Sequence, residues 1–533
     1  AAAAVLLLAA AAASARAAAA QARAVPMPSA PLGHPLLVAF FVGWVVAGLL
    51  NAWIAAFQVF LPELADGSWI ARSSYPGRAV GNLRQPNHLS SLLLWGTIAV
   101  IALHELKRLG RRPGWLAGAL MALLVFAVVL TASRTGLVSV LLLAGWGLAD
   151  RGRQLTRTGR RLLLAAPLLY ALAWLAMALL WANGGHHVFG GGDRLLPGAG
   201  GGGGDISSSR FGIWADTLAL IRAQPWAGVG FGDFNLAWTL TAFPGRPTAF
   251  FDHTHNLPLQ LIVELGLPLG GLVTALLLVA LWQAWRAGRG DVGARCAGMF
   301  VVMIGLHSLL EYPLWYAYFL LPAAWAWGWA LGWRPPPSHA VVRGRSAALL
   351  AKARAEAAFV DSTLPGEVAP HPAARAAPRA RAAAWPAWAG ALLVVGAAWS
   401  VWDYWRVARI FDAQAAAVPL AQRVAEGQRS VLFGHHADYA AATSGLAPPA
   451  DLAVFRRPAH YLLDTRLMTA WAEALARAGR IDEARWVAAR LHEFGPARAE
   501  AFFAPCATPA SAAGRFACEA PQQAHGWREF LQP

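Results

Sequence analysis

Charge is scarce in this chain. Only 14% of its 533 residues are acidic or basic, 57% are hydrophobic and mean hydropathy is +0.44, whereas a soluble protein carries roughly a quarter charged residues. An ordinary soluble fold is thereby excluded. Alternation of apolar and polar residues is also missing from the apolar runs, which excludes a transmembrane β-barrel. What remains is an all-α polytopic membrane protein. Apolar segments fall at 36–60, 89–104, 115–131, 135–149, 162–182, 257–283, 294–310, 314–333 and 385–402, and a bilayer core needs roughly 20 such residues per helix. The opening AAAAVLLLAAAAASARAAAA lacks an initiator methionine and a clear cleavage site. It is expected to be a first helix within a longer natural chain rather than the remnant of a signal sequence.

Acidic residues are the scarcer sign, 28 against 44 Lys and Arg, for a net charge of +16. In a soluble protein that excess would suggest nucleic acid; here the arginines sit in short loops between apolar runs and are topology signals, so no nucleic-acid partner is expected. The loops 105–113, 150–161 and 286–295 and the Pro/Ala-rich stretch 334–384 are basic, which assigns them to the cytoplasm. Alternation then sends residues 61–88, the turn 133–135, the loop 183–256, the turn 311–313 and everything after 402 to the outer face. The domain organisation is a transmembrane unit 1–333 containing the outer loop 183–256, a flexible cytoplasmic linker 334–384, a last membrane helix 385–402 and an outer tail 403–533.

Chemistry-bearing residues gather on that outer side. Arg134 stands in a short turn with Ser133, Thr135 and Gly136, a polar pocket suited to an anion. The loop opens on a glycine-rich tether with adjacent His186 and His187. Without a cysteine or a second spaced histidine pair nearby, these do not make a metal site. Ser209 is expected to cap an amphipathic helix from about Arg210 to Ala223, with Phe211, Trp214, Leu218 and Ile221 on the face laid against the membrane. GVGFG follows a helix and no strand precedes it, so it reads as a tight turn, not a nucleotide loop. DHTHN then brings Asp252, His253, His255 and Asn256 to the start of an apolar helix. Asp252 or Asn256 can cap that helix, His253 can be merely solvated, and His255 suits a general base. Gln85, Asn87 and His88 precede another helix, and Glu311, Tyr312 and Tyr316 mark another outer turn.

The motifs RQPNHL, TASRTG, SSRFGIW with GVGFGDFN, HTHNLPLQL and LEYPLWY occur in that order over residues 80–318. In this order they resemble the bacterial O-antigen ligases, O-antigen polymerases and protein O-oligosaccharyltransferases, the last most of all. The resemblance implies a membrane fold related to the GT-C class in the bacterial inner membrane, a metal-independent periplasmic active site without cofactor, and an undecaprenyl-pyrophosphate-linked glycan as donor. It places the loop histidine at His255, the paired arginines at Arg134 and Arg210, and further substrate contacts at Gln85 and at Tyr312 or Tyr316. Inverting transfer to Ser/Thr of a pilin-like protein is the leading expectation. Transfer to lipid A core or to another glycan uses the same site. A transporter of the same lipid is disfavoured, because the central apolar segments lack charge and no hydropathy repeat is visible. Paired carboxylates at hydrolase geometry are also missing, which leaves Asp252 or Glu311 to orient His255 or a sugar.

The tail loses the apolar runs and turns amphipathic. Residues 467–494 look like one tetratricopeptide-type hairpin, expected to pack on helices at 403–430 and 452–466 as a small helical domain. It serves acceptor docking or capping. Cys506 and Cys518 can form a disulfide in an oxidising compartment, and the lone Cys296 is core.

Overall fold

A computed structural model of the protein describes residues 2–24, 34–110, 113–150, 154–184, 189–190, 206–248, 250–333, 385–412, 415, 417–448, 451–508, 512 and 514–531. His186, His187, the glycine tether and the linker 334–384 lie outside them. The described structure is all-α, and five of its helices are long and apolar enough to cross a membrane.

The bundle is built from α1 (Ala2–Ala24), α2 (Pro35–Phe60), α3 (Pro86–Glu105), α4 (Pro113–Leu130), α5 (Arg134–Asp150) and α6 (Arg157–Gly184). After the loop helices α7 (Ile206–Ala223) and α8 (Phe234–Leu240) it continues with α9 (Leu257–Ala287), α10 (Val292–Ser308), α11 (Ala317–Gly332) and α12 (Trp385–Phe411). Proline in the first turn of α2, α3 and α9 costs no hydrogen bond, because the first amides of a helix have no internal partner. Side chains of Gln85, Asn256 and Asp291 cap α3, α9 and α10.

Helix α3 is buried along almost its whole length. Small residues permit this: Gly96 lies so close to α2 that a Cβ there would sit 3.3 Å from the Trp44 carbonyl. Close backbone approach of this kind replaces the hydrophobic drive that lipid cannot provide. Gly328 and Gly332 of α11 play the same part for α1, whose Leu8 and Ala12 carbonyls fill the space a Cβ would need. The opening segment is thus a packed helix of the bundle.

Three boundaries differ from the sequence expectation. The apolar run 257–283 is not one straight span: α9 breaks at Gly266 (φ 78°, ψ 167°), with Pro268 just beyond. Leu259, Ile262 and Val263 before the break pack with the loop and tail, whereas Leu269, Leu272 and Leu276 after it are exposed along the apolar surface. The second half, to Ala287, still reaches ~30 Å at helical rise, enough to span. The last helix does not stop at 402; α12 runs to Phe411, and its buried Asp403 accepts from Ser430 Oγ and Leu432 N, both at 2.8 Å. Helix α7 starts at Ile206, so Ser209 lies inside its first turn instead of capping it.

The tail comprises α13 (Leu420–Gln428), α14 (Gly434–Thr443), α15 (Ala453–Ala459) and the hairpin α16 (Thr465–Arg477) and α17 (Ile481–Glu493), which turns at Gly479 with φ +80°. Cys506 and Cys518 are bonded to each other, and Cys296 is buried. The tail's core is not its own. Ile213, Trp238, Phe251 and Val263 share one apolar cluster with Trp471, Val487 and Phe494. Polar contacts pin the two parts together: Trp486 Nε1 donates to the Leu240 carbonyl at 2.9 Å, and Leu463 N donates to Asn235 Oδ1 at 3.0 Å.

Arg246 is the centre of this junction. Its guanidinium is buried between the Trp238 and Phe494 rings, 4.9 and 4.7 Å from their centroids, and its Nε lies 2.8 Å from Glu493 of α17. Burial pushes its pKa down to about 10, against the pull of Glu493, so it stays charged at neutral pH. Arg246→Ala removes the cation from three partners at once. The expected loss is about 2 kcal/mol, read as faster release of the tail in limited proteolysis.

Candidate active site

Four segments distant in sequence meet at one end of the bundle: the start of α3, the turn between α4 and α5, α7, and the corner that leads into α9. The approach to α3 is held by Gln58, near the end of α2, whose side chain accepts from Val80 N and Gly81 N at 2.9 and 2.8 Å and donates to the Ala71 carbonyl at 2.6 Å. Nothing in the apolar run around Gln58 distinguished it beyond its polarity in such company.

Glu311, in the turn after α10, joins these segments. Its Oε2 lies 2.6 Å from His255 Nδ1, and its Oε1 accepts from Asn87 Nδ2 at 3.0 Å and from Arg210. Asn87 Oδ1 in turn accepts from Ser133 Oγ at 2.7 Å, and Ser133 caps α5 by accepting from Gly136 N at 2.9 Å. Arg134 follows as the first residue of α5, with an exposed side chain. The network therefore ties Arg210 and His255 directly to one carboxylate and, through Asn87 and Ser133, fixes the start of α5 from which Arg134 projects. Burial works to raise the Glu311 pKa, but the His255 hydrogen bond and the nearby His255 and Arg210 charges outweigh it and hold it at about 2.

His255 is buried and sits in the left-handed region at φ 55°, where a non-glycine residue is held only if its surroundings enforce it. They do. Thr254 N donates to Gln260 Oε1 at 2.8 Å, Trp214 Nε1 to the Thr254 carbonyl at 2.9 Å, Asn235 Nδ2 to the Phe251 carbonyl at 2.8 Å, and Asn256 Nδ2 to the Leu309 carbonyl at 3.1 Å. With Nδ1 turned to Glu311, Nε2 is the nitrogen left for a substrate. Arg210 Nε is buried without a hydrogen-bond partner, a donor whose burial costs about 1–3 kcal/mol until something accepts from it.

The other expected residues take varied places. Asn256 caps α9, accepting from Leu259 N at 3.1 Å. Asp252 does not cap this helix; it lies exposed, 3.1 Å from His253, whose hydrogen bond and charge hold its carboxyl below the usual range. His253 is not solvated, because its ring stacks on Tyr312 at 4.4 Å and meets Trp315 edge-on at 4.7 Å. Tyr312 also meets the His255 ring at 4.9 Å, and Tyr316 lies 6.0 Å from Tyr312. Burial raises both phenols, so both remain hydroxyl donors. His88 is buried behind the site, bonded to Tyr318 at 2.7 Å, and Gln85 spends its carbonyl on His88 N at 2.7 Å.

Helix α7 presents one face to the protein and leaves part of the face expected on the membrane uncovered. Ile213, Thr217, Leu220 and Ile221 are buried, while Phe211 and Leu218 point outward. The buried Asp216 anchors the inward side: it accepts from Trp238 Nε1 at 3.2 Å and faces the Arg246 charge. The glycines of GVGFG fit into the break of α9. Val229 N donates to the Val263 carbonyl at 2.8 Å, Gly230 N to Glu264 at 3.1 Å and Leu267 N to Pro225 at 2.7 Å.

Among known families, residues 119–274 match O-Antigen ligase, residues 297–505 match "Virulence factor membrane-bound polymerase, C-terminal" and residues 79–104 match Protein glycosylation ligase. A "General O-oligosaccharyltransferase" of Acinetobacter baylyi is 30% identical over 257 residues, 48% of this chain and 44% of that protein. A "ComP-specific O-oligosaccharyltransferase" of the same organism is 28% identical over 274 residues, 50% of this chain and 46% of that protein. The matched region thus spans less than half the length of either relative. The chain is similar to the superfamily of O-antigen ligases, O-antigen polymerases and O-oligosaccharyltransferases, membrane enzymes of glycan transfer.

Proposed function

We propose that the protein is a periplasm-facing O-oligosaccharyltransferase of the bacterial inner membrane, moving a glycan from undecaprenyl pyrophosphate to Ser/Thr of an acceptor protein. The observation that carries this reading is the pairing of His255 with Glu311 and Arg210 at the end of an apolar bundle, in a network that reaches Ser133, the neighbour of Arg134. The acceptor hydroxyl gives its proton to His255 Nε2 as its oxygen attacks the anomeric carbon. The bond from that carbon to the pyrophosphate oxygen breaks, and the leaving group keeps the electron pair. Single displacement inverts the centre. Arg134 and Arg210 bind the pyrophosphate and stabilise its developing charge, and Glu311 holds the imidazole by Nδ1 and offsets the positive charge it gains. The chemistry needs no cofactor.

The polymerase match over residues 297–505 favours a second reading, in which another lipid-linked glycan is the acceptor. Purified protein, a radiolabelled lipid-linked donor and EDTA, offered a pilin-like protein, lipid A core and a second lipid-linked glycan in parallel, separates them. Label on the protein is the expected result. Folded, donor-binding protein that labels none of the three overturns the transfer reading.

A further inference from the structure

We infer that the cleft between the glycine loop, the 252–253 corner and the end of α15 is an extended subsite for the sugar rings of the donor, an inference that rests on the transfer reading above. The cleft encloses about 780 Å³, within the range of sites that enclose a small ligand. Three exposed rings line it, Phe231 at 79%, Tyr461 at 58% and Trp315 at 45%, with one face of Tyr461 stacked on His435 at 3.8 Å. Large aromatic rings left in contact with water at a concave surface suit the apolar C–H faces of sugars. Between them stand hydrogen-bonding groups of both signs, Asp233, Asp252 and Glu264 against Arg456, Arg457 and His460. His460 is bonded to Asp233, which raises its pKa, and Arg457 lies 2.6 Å from Asp438. With acidic and basic groups balanced around it, the cleft offers little net field for an anion; it suits a neutral, hydroxyl-rich ligand.

Continuity with the reacting centre points to the donor. Trp315 touches His253, His253 stacks on Tyr312, and Tyr312 meets His255. A donor held in the membrane by its lipid places its pyrophosphate at the arginines and its first sugar at His255. Its remaining sugars then run away from the membrane, toward the tail, which forms the far wall of the cleft. An extended peptide acceptor finds no strand edge to pair with among the described residues, and the charged groups between the rings interrupt the apolar groove that a helical peptide needs.

Tyr461→Ala and Phe231→Ala test this, since both side chains are more than half exposed and neither belongs to the catalytic network. The expected result is a fall of about five- to tenfold in kcat/KM for a long oligosaccharide donor, with a single-sugar donor and the acceptor KM unchanged. Calorimetry with lipid-free oligosaccharide should show the same weakening without turnover. Equal loss on both donors, no loss on either, or a raised acceptor KM alone overturns the subsite. Wild-type protein that transfers neither donor overturns the transfer reading itself.

Discussion

His255→Ala is expected to slow glycan transfer by about 10²–10⁴-fold, the usual contribution of a positioned general base, while donor binding stays near the wild-type value. The split follows from geometry. The histidine is bonded to Glu311, and the charge proposed to hold the phosphates is that of Arg134 and Arg210. Glu311→Gln is the sharper companion, because it keeps the shape and removes the charge that orients Nδ1–H. A loss of about a hundredfold or more is expected by analogy with other carboxylate–histidine pairs. The carboxylate titrates at about 2 instead of 4.5. A depressed pKa contributes stability that is present above 4.5 and lost as pH falls toward 2. The wild-type group is ionised throughout the neutral range, so the Glu311→Gln defect should keep its size there. A pH–rate profile of both proteins measures it, and a defect that vanishes at one end of the neutral range would contradict the assigned role.

Gly266→Ala is expected to prevent folding of the site. At φ 78° and ψ 167° the residue occupies a region that only glycine enters cheaply, and an added Cβ would lie 2.1 Å from the Trp226 carbonyl oxygen. Backbone on both sides leaves nothing flexible to give way. The loss should exceed about 3 kcal/mol, a large part of the stability of a typical domain. Because the GVGFG turn docks into this break, the corner carrying His255 should loosen with it. Folded yield in detergent and the midpoint of thermal unfolding are the measurements. Gly271→Ala, a few residues on, meets no atom within 4 Å and should be tolerated. If both variants fold equally well, the break is not what holds the loop.

Much of the site was legible because its residues are polar in an apolar chain. An Asp, two His and an Asn before a membrane-like run stand out, and so do Arg134 beside Ser133 and Glu311 beside Tyr312. Roles were less legible than positions. Asp252 and Glu311 were equal candidates to orient His255, and only the turn after α10 brings Glu311 within 2.6 Å of it. His88 and His255 each stand close to the start of an apolar run, yet one is bonded to Tyr318 and the other to Glu311. The inward face of α7 was not legible for a related reason: apolar spacing identifies a helix, but a buried Asp216 bonded to Trp238 marks the side that turns in.

By itself the sequence determined the all-helical membrane class, the approximate helix limits and the cluster of chemistry at one end, because hydropathy, loop charge and caps act over a few neighbouring residues. Tertiary structure alone decided that Glu311 is the junction of the network, that α9 breaks to receive the glycine loop, and that the tail shares a core with that loop through Arg246. Those depend on contacts between segments tens to hundreds of residues apart. No local pattern encodes such a contact; it exists only once the chain has packed.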